Sequence, residues 1–188
     1  MSAPQRPPAE GSARRAELLA AAYRYATEHG LTDLSLRPLA AAVGSSPRVL
    51  LYLFGSKDGL VREVLSMARE EQLAFIRDTV VPGTAQYHTV VERLWDWVAA
   101  DHRRGLVRLF FEAFAQSARA DPGPWAGFAE RSVGDLVAAL AAAQPGVPEP
   151  AAVRRATATL ALLRGLLLHL LAGGDRDELG ALLSESVS

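Results

Sequence analysis

Helix-favouring residues dominate this chain of 188 residues, and that bias most constrains its fold. Ala occurs 34 times and Leu 28 times, whereas the β-branched residues Val, Thr and Ile occur 15, seven and one times. Straight-chain residues lose little side-chain freedom in a helix, while β-branched residues favour strands. No stretch alternates apolar and polar residues with a period of two. The sequence therefore predicts an all-α fold and argues against β and doubly wound folds.

Gly and Pro residues divide the chain into about nine helical segments. The first eleven residues contain three Pro and few apolar side chains, so residues 1–11 are predicted to form a disordered tail. The first helix is predicted to run from Ser12 to Glu28 or His29, with Gly30 ending it.

The absence of some residue types, and the single occurrence of another, exclude several functions. It has no Cys, which removes thiolate zinc sites and cysteine nucleophiles and favours a reducing, cytoplasmic setting. Lys57 is the only lysine, and it does not lie in a phosphate-binding Gly-Lys-Ser/Thr motif. The four His lie in different segments, and no catalytic motif is present, so we expect neither an enzyme nor a metal or cofactor site. The longest apolar stretch, residues 160–172, is too short to span a bilayer.

Two short helices are predicted in succession near residue 45. The first covers residues 36–43 and ends at Gly44, and the second begins at Pro47 and reaches Phe54. Ser46 is well placed to cap the second helix, because Ser is favoured immediately before a Pro at the first helical position. Two short helices joined by a three-residue turn that contains Gly form a helix-turn-helix.

The same region resembles the DNA-binding region of the TetR family of bacterial transcriptional regulators. The resemblance rests on Leu39-Ala40, Gly44, Ser46, Leu50, Tyr52, Phe54, Ser56-Lys57 and Leu60. It is strongest over residues 12–65, and the near-terminal segment LALLRGLLLHLL also looks like the family. It implies a DNA-binding domain over residues 12–56 and a helical body over residues 57–188, which binds ligand and dimerises. A fourth helix starting at Lys57 connects the two.

The resemblance also implies that the third helices of a dimer enter successive major grooves of operator DNA. The residues expected to contact DNA are Arg37, Ser46, Pro47, Arg48, Val49, Leu51, Tyr52 and Lys57. Arg48 is suited to read a guanine edge and Leu51 a thymine methyl group. Tyr52, Lys57 and Arg37 are placed to contact phosphates.

Aromatic residues are dense between residues 87 and 128, and two interpretations of them stay open. At helical spacing, most of them are expected to be core. The resemblance instead implies that some line an effector pocket, which would be mostly apolar with few polar groups. The candidates for that pocket are Trp95, Phe110, Phe111, Phe114, Trp125 and Phe128, together with Arg164.

Residues 151–172 are apolar around a whole helix, which indicates burial on more than one side. Its small-residue face predicts a dimer interface, shared with a helix near residues 175–184; the face comprises Ala158, Ala161, Leu162, Gly165 and His169. Arg164 lies either at the rim of that interface or inside the body as a cation that needs a carboxylate.

These features predict a homodimeric, cytoplasmic, ligand-responsive DNA-binding regulator without a membrane partner. The expected mode of action is a repressor that an apolar or amphipathic small molecule releases from a palindromic operator. The alternative is a helical ligand-binding or interaction protein that binds no specific operator.

Overall fold

A computed structural model of the chain describes residues 8–79 and 86–187. Over these residues the chain forms nine α-helices and no strand, which confirms the predicted all-α class. The helices are α1 (Pro8–His29), α2 (Leu36–Ala42), α3 (Pro47–Phe54), α4 (Lys57–Thr79), α5 (Tyr87–Val98), α6 (Arg104–Ser117), α7 (Phe128–Ala142), α8 (Glu149–Leu171) and α9 (Arg176–Val187). Two short 3-10 turns, Asp101–Arg103 and Gly123–Trp125, precede α6 and α7.

Helix α1 begins four residues before the predicted start at Ser12. Pro8 stands at its first position, where a missing N–H costs no hydrogen bond and the fixed φ angle suits a helix. The predicted tail is therefore wrong for residues 8–11, and its residues 1–7 lie outside the described residues. At the other end, Gly30 has a φ of 77° and its N–H donates to the carbonyl of Ala26 over 2.8 Å, as predicted for the residue that ends the helix.

The helix-turn-helix has the predicted start of its second helix and a slightly shorter first helix. Helix α2 ends at Ala42, and Gly44 has the positive φ of 62° that the turn requires. The hydroxyl of Ser46 accepts a hydrogen bond from the N–H of Val49 over 3.3 Å, with Pro47 at the first helical position. Ser46 therefore caps α3 as predicted.

The junction between α3 and α4 is held tightly. The Ser56 hydroxyl accepts a hydrogen bond from the N–H of Gly59 over 2.9 Å and so caps α4. A Cβ on Gly59 would lie 2.2 Å from the carbonyl oxygen of Phe54 at the end of α3. Only glycine fits this contact, which fixes the direction of α3 relative to α4.

Helix α4 leads from the helix-turn-helix into the body and packs there on α5, α6 and α7. Helix α8 packs along α7, and α9 packs on α5 and α8. The buried apolar side chains of the two regions form one continuous core. None of the helices that the structure describes is both long enough and apolar enough to cross a membrane.

Candidate DNA-binding surface and effector cavity

Helix α3 has a buried face and an exposed face. Leu50 and Phe54 are only 1% and 7% exposed and form the buried face. Tyr52 is 86% exposed and Leu51 is 42% exposed. The remaining predicted contacts on this helix are exposed at Arg48 and Val49 and half-buried at Pro47. An exposed aromatic and aliphatic surface beside a cation is suited to the edges of base pairs.

Two further predicted contacts flank α3. Arg37 is exposed in the first turn of α2, and Lys57 is exposed at the first position of α4. A cation at the start of a helix is unfavourable for the helix dipole, whereas an anion there is favourable. A phosphate at this end of α4 would be bound both by free backbone N–H groups and by Lys57.

Arg15 of α1 fastens the helix-turn-helix to the rest of the chain. Its guanidinium pairs with Glu63 of α4 and donates from Nε to the carbonyl of Leu53 over 3.3 Å. The same group lies 5.2 Å from the ring centroid of Phe54. These contacts stabilise the orientation in which α3 presents its exposed face.

A small cavity lies in the body between α4, α5, α6, α7 and α8. Its volume is about 30 Å³, enough for a water molecule and far below the several hundred Å³ of a typical ligand pocket. Of the predicted pocket residues, Phe110, Phe111 and Arg164 line it. The other lining residues are Gln72, Leu94, Val98, Val107, Leu136, Leu160, Leu163 and Leu167.

The other predicted pocket residues do not line this cavity. Phe114 and Phe128 pack with Phe110 in an aromatic cluster whose ring centroids are 5.2 to 6.1 Å apart. Trp95 lies against α9, where a Cβ on Gly180 would be 2.6 Å from its Nε1 atom. Trp125 is buried in the 3-10 turn before α7. Trp95, Trp125 and Phe128 are buried and Phe114 is half-buried away from this cavity, and a contact of these four residues with an effector stays a prediction.

Arg164 faces the interior of the body and not the exposed side of α8. The central carbon of its guanidinium is 4.3 Å from the ring centroid of Phe114 and 5.7 Å from that of Phe110. Its Nε and Nη2 atoms are buried and have no hydrogen-bond partner among the described residues. Burial lowers the pKa of Arg164 to about 10, so the group remains a cation at neutral pH.

A second polar group of the cavity is also unsatisfied. The amide oxygen Oε1 of Gln72 is buried and has no hydrogen-bond partner within the described part of the chain. Gln72 lies on α4, the helix that begins at Lys57. The cavity thus brings together unpaired polar groups from α8 and from the helix that leads to the DNA-binding region.

Besides α4, which the sequence predicts as the connection, helix α6 also contacts the DNA-binding region. The Glu112 carboxylate accepts hydrogen bonds from the N–H groups of Leu31, over 3.0 Å, and of Thr32, both just after α1. A Cβ on Gly105 would lie 2.1 Å from the carbonyl oxygen of Thr27, so α6 and α1 are in backbone contact. Helical spacing places Gly105, Arg108, Leu109 and Glu112 on one face of α6, but it does not predict which helix that face contacts.

A half-buried polar network holds α1, α4 and the turn before α6 together. The Tyr23 hydroxyl donates to the Glu71 carboxylate, and Arg103 donates to the same carboxylate over 2.6 Å. Burial, together with the hydrogen bond and the negative charge of Glu71, raises the pKa of Tyr23. Burial alone would raise the pKa of Glu71, but the hydrogen bonds from Tyr23 and Arg103 and the Arg103 charge outweigh it and lower that pKa.

The predicted small-residue face of α8 lies on the surface of the protomer. Ala158, Ala161, Gly165 and His169 are exposed, and Leu162 is half-buried. A Cβ on Gly165 would meet nothing within 4 Å. Large apolar side chains continue the face, with Leu168 on α8 being 50% exposed and Leu182 on α9 being 52% exposed. An exposed apolar face of this kind is typical of an interaction surface.

No group of three His, Asp or Glu side chains converges on a metal position within residues 8–79 and 86–187. The described residues form a helix-turn-helix followed by a helical body. Residues 18–64 match the family model described as bacterial regulatory proteins, tetR family. The match confirms the resemblance to the TetR family over the helix-turn-helix, and the matched family consists of regulatory proteins and not of enzymes.

Solved structures confirm the fold along nearly the whole chain. A transcriptional regulator from Rhodococcus sp. Rha1 is 21% identical with a TM-score of 0.77, and the match covers 92% of this chain and 93% of that one. A TetR transcriptional regulator from Legionella pneumophila is 18% identical with a TM-score of 0.73, covering 92% and 96%. The multidrug binding protein EbrR, complexed with imidazole, is 22% identical with a TM-score of 0.66, covering 94% and 90%. No protein with a curated description matches this sequence.

Proposed function

We propose that this protein is a homodimeric transcriptional repressor that a small molecule releases from a pseudo-palindromic operator. In this proposal, residues 12–56 bind DNA and residues 57–188 dimerise and bind the effector. We expect it to act in the cytoplasm, where operator DNA is accessible.

The exposed face of α3 is the observation that carries the proposal. Tyr52, at 86% exposure, and the neighbouring Leu51 have no role in the core. Keeping such side chains in water gains nothing for folding, whereas a major groove offers them thymine methyl groups and phosphates. Arg48 on the same face supplies a donor fork for guanine.

The exposed face of α8 supports the proposed dimer. A single α3 of eight residues spans about 12 Å and touches few base pairs, so specific binding needs two of them. Small residues on α8 permit close approach of a second copy, and Leu168 and Leu182 would be buried by it. A two-fold dimer then requires an operator with the same two-fold symmetry.

The two faces of α6 support a route by which an effector would release DNA. One face lines the cavity with Phe110 and Phe111, and the adjacent face holds the residues after α1 through Glu112. A ligand larger than the cavity has to move α6 or α4, and both of these helices contact α1. EbrR, which has this fold and is described as a multidrug binding protein complexed with imidazole, gives a precedent for ligand binding by a protein of this fold.

Selection of genomic DNA fragments by the purified protein tests the proposal. We expect enrichment of a few fragments that share an inverted repeat whose half-sites lie on one face of the duplex. A repressor then lowers transcription from a promoter that overlaps the enriched site. If no sequence is enriched above input, the protein is instead a helical ligand-binding or interaction protein without a specific operator.

A further inference from the structure

The effector cavity contains an unpaired cation, and its chemistry specifies a class of ligand. Arg164 is held between apolar helices, with its guanidinium over the Phe114 ring and no carboxylate paired with it among the described residues. Arg164 as a whole is half-buried, but leaving its Nε and Nη2 atoms buried without a hydrogen-bond partner is costly, and aromatic rings offset only part of that cost. The protein therefore presents a site that an anion would complete.

The unpaired atoms define how that anion would bind. Nε and Nη2 of Arg164 are buried and have no hydrogen-bond partner among the described residues, and their N–H groups point from the same edge of the planar guanidinium. Two parallel donors on one edge match the two oxygens of a carboxylate, which is the bidentate geometry that arginine favours. A point cation such as lysine would not supply this fork.

The other residues that line the cavity indicate the chemical character of the rest of the ligand. Apart from Gln72 and Arg164, every lining residue is aliphatic or a phenylalanine. An apolar tail is therefore required, and a polyanion such as a nucleotide would bury charges that nothing here can pair. The buried amide of Gln72 adds one hydrogen-bonding group beside the apolar lining.

We propose that the effector is a monocarboxylate with an apolar tail, whose carboxylate pairs side-on with Arg164. This inference rests on the proposed function, since it names the ligand of the same cavity. The cavity of about 30 Å³ is too small for such a molecule, so binding must separate helices that line it. Arg164 on α8, Phe111 on α6 and Gln72 on α4 are then pushed apart, which ties binding to the helices that contact α1.

Matched ligands test the head group on the full-length protein. Octanoate, 1-octanol and octylammonium share one tail and differ in charge, and calorimetry measures their affinities. We expect octanoate to bind at least tenfold more tightly than 1-octanol, and octylammonium to bind most weakly. 4-Phenylbutyrate and its alcohol repeat the comparison for an aromatic tail. The proposal is supported if, in either pair, the carboxylate binds more tightly than the alcohol. Equal affinities of acid and alcohol in both pairs would overturn it.

Variants of Arg164 test whether this residue causes the preference for a carboxylate over an alcohol. Arg164→Met removes the charge and keeps an apolar chain against Phe114, so octanoate affinity should fall to that of 1-octanol while 1-octanol affinity is unchanged. Arg164→Lys should keep part of the preference. Thermal melts verify that both variants fold.

The control is Arg131→Gln, because Arg131 lies with Arg62 and Arg69 around a different cleft between α4 and α7. It should bind octanoate like the wild type. A carboxylate preference that survives Arg164→Met and disappears in Arg131→Gln would place the anion in that cleft and overturn the proposal. The selection of genomic DNA fragments uses no ligand and therefore tests the proposed function separately. If an operator is enriched but carboxylates are not preferred, the proposed ligand class is wrong and the proposed function is not.

Discussion

The Glu112 carboxylate on α6 accepts a hydrogen bond from the backbone N–H of Leu31 over 3.0 Å, across 81 positions of sequence. Leu31 follows the end of α1 and is buried, while Glu112 follows the cavity residues Phe110 and Phe111. The contact therefore connects a cavity helix directly to the DNA-binding region. It gives the proposed effector a route to DNA that does not depend on tilting α4 alone.

Removal of this contact should weaken both stability and the response to ligand. Glu112→Ala leaves the N–H groups of Leu31 and Thr32 without their acceptor, which should cost about 1–2 kcal/mol in urea unfolding. In operator titrations, octanoate should weaken DNA binding less in this variant than in the wild type, where coupling of about 5–150-fold is typical.

Gln116→Ala is the control for that prediction. It removes a 3.2 Å hydrogen bond from the same helix to the exposed Thr32 hydroxyl. Its stability and ligand response should stay close to wild type. If Glu112→Ala responds to ligand like Gln116→Ala, α6 does not transmit the signal.

Arg48 and Lys57 should differ when replaced by Ala, because one is proposed to read a base and the other a phosphate. Arg48→Ala should cost ~1–3 kcal/mol on the operator and relax preference at one position. Lys57→Ala should weaken all sequences alike and reduce the slope of log affinity against log salt by about one. Binding isotherms at several salt concentrations measure both.

Arg93→Ala serves as the control for these two variants, since it removes the same charge from an exposed position of α5 in the body. Its affinity and salt slope should match the wild type. An Arg48→Ala variant that keeps full affinity and base preference would contradict the proposed role of the exposed face of α3.

Gly165→Leu should abolish the dimer without harming the protomer. Nothing lies within 4 Å of a Cβ at Gly165, so the leucine is free to point to solvent, and replacing glycine in a helix is favourable by ~0.5–1 kcal/mol. Between two packed copies of α8, the same side chain would force the helices apart. Sedimentation velocity should show a monomer that retains its helical content.

Gly134→Leu is the matched variant, because Gly134 is an exposed helical glycine on α7 that also has open space around its Cβ position. It should remain a dimer. A Gly165→Leu protein that also sediments as a dimer would place the interface on another surface.

The network of Glu71 should make stability depend on pH in acid. Its hydrogen bonds with Tyr23 and Arg103 lower the pKa of Glu71 in the folded state. The resulting stabilisation is complete above the ordinary carboxyl pKa of about 4 and is lost as pH falls through the lower folded value. In urea unfolding at pH 7, 5 and 3, the free energy of unfolding should fall more steeply with decreasing pH in the wild type than in Glu71→Gln.

Glu70→Gln tests whether that effect belongs to the network. Glu70 pairs with Arg77 at 3.7 Å on the surface, where ion pairs contribute little. It should therefore follow the wild-type pH profile. Parallel profiles for wild type and Glu71→Gln would mean that Glu71 does not carry the acid sensitivity.

Local signals in the sequence predict the starts of α3 and α4 well, because capping serines, Pro47 and Gly55 act on adjacent residues. The exposed face of α3 follows from the same helical period. By contrast, Phe110 and Phe114 share a spacing, yet only Phe110 lines the cavity. Helical spacing predicts that a side chain is buried, but it does not predict which residues pack against it. The contact of Glu112 with Leu31 depends on how distant helices pack, which no local pattern records.

Titration of an enriched DNA fragment with half-sites altered one at a time tests the central claim most directly. A dimer with one α3 in each half-site should bind the intact repeat about a thousandfold or more tighter than a fully scrambled fragment at equal salt. Scrambling either half alone should give an intermediate and equal loss, with one dimer bound to the intact site. Affinity that is the same for the intact and the fully scrambled fragments would contradict the account.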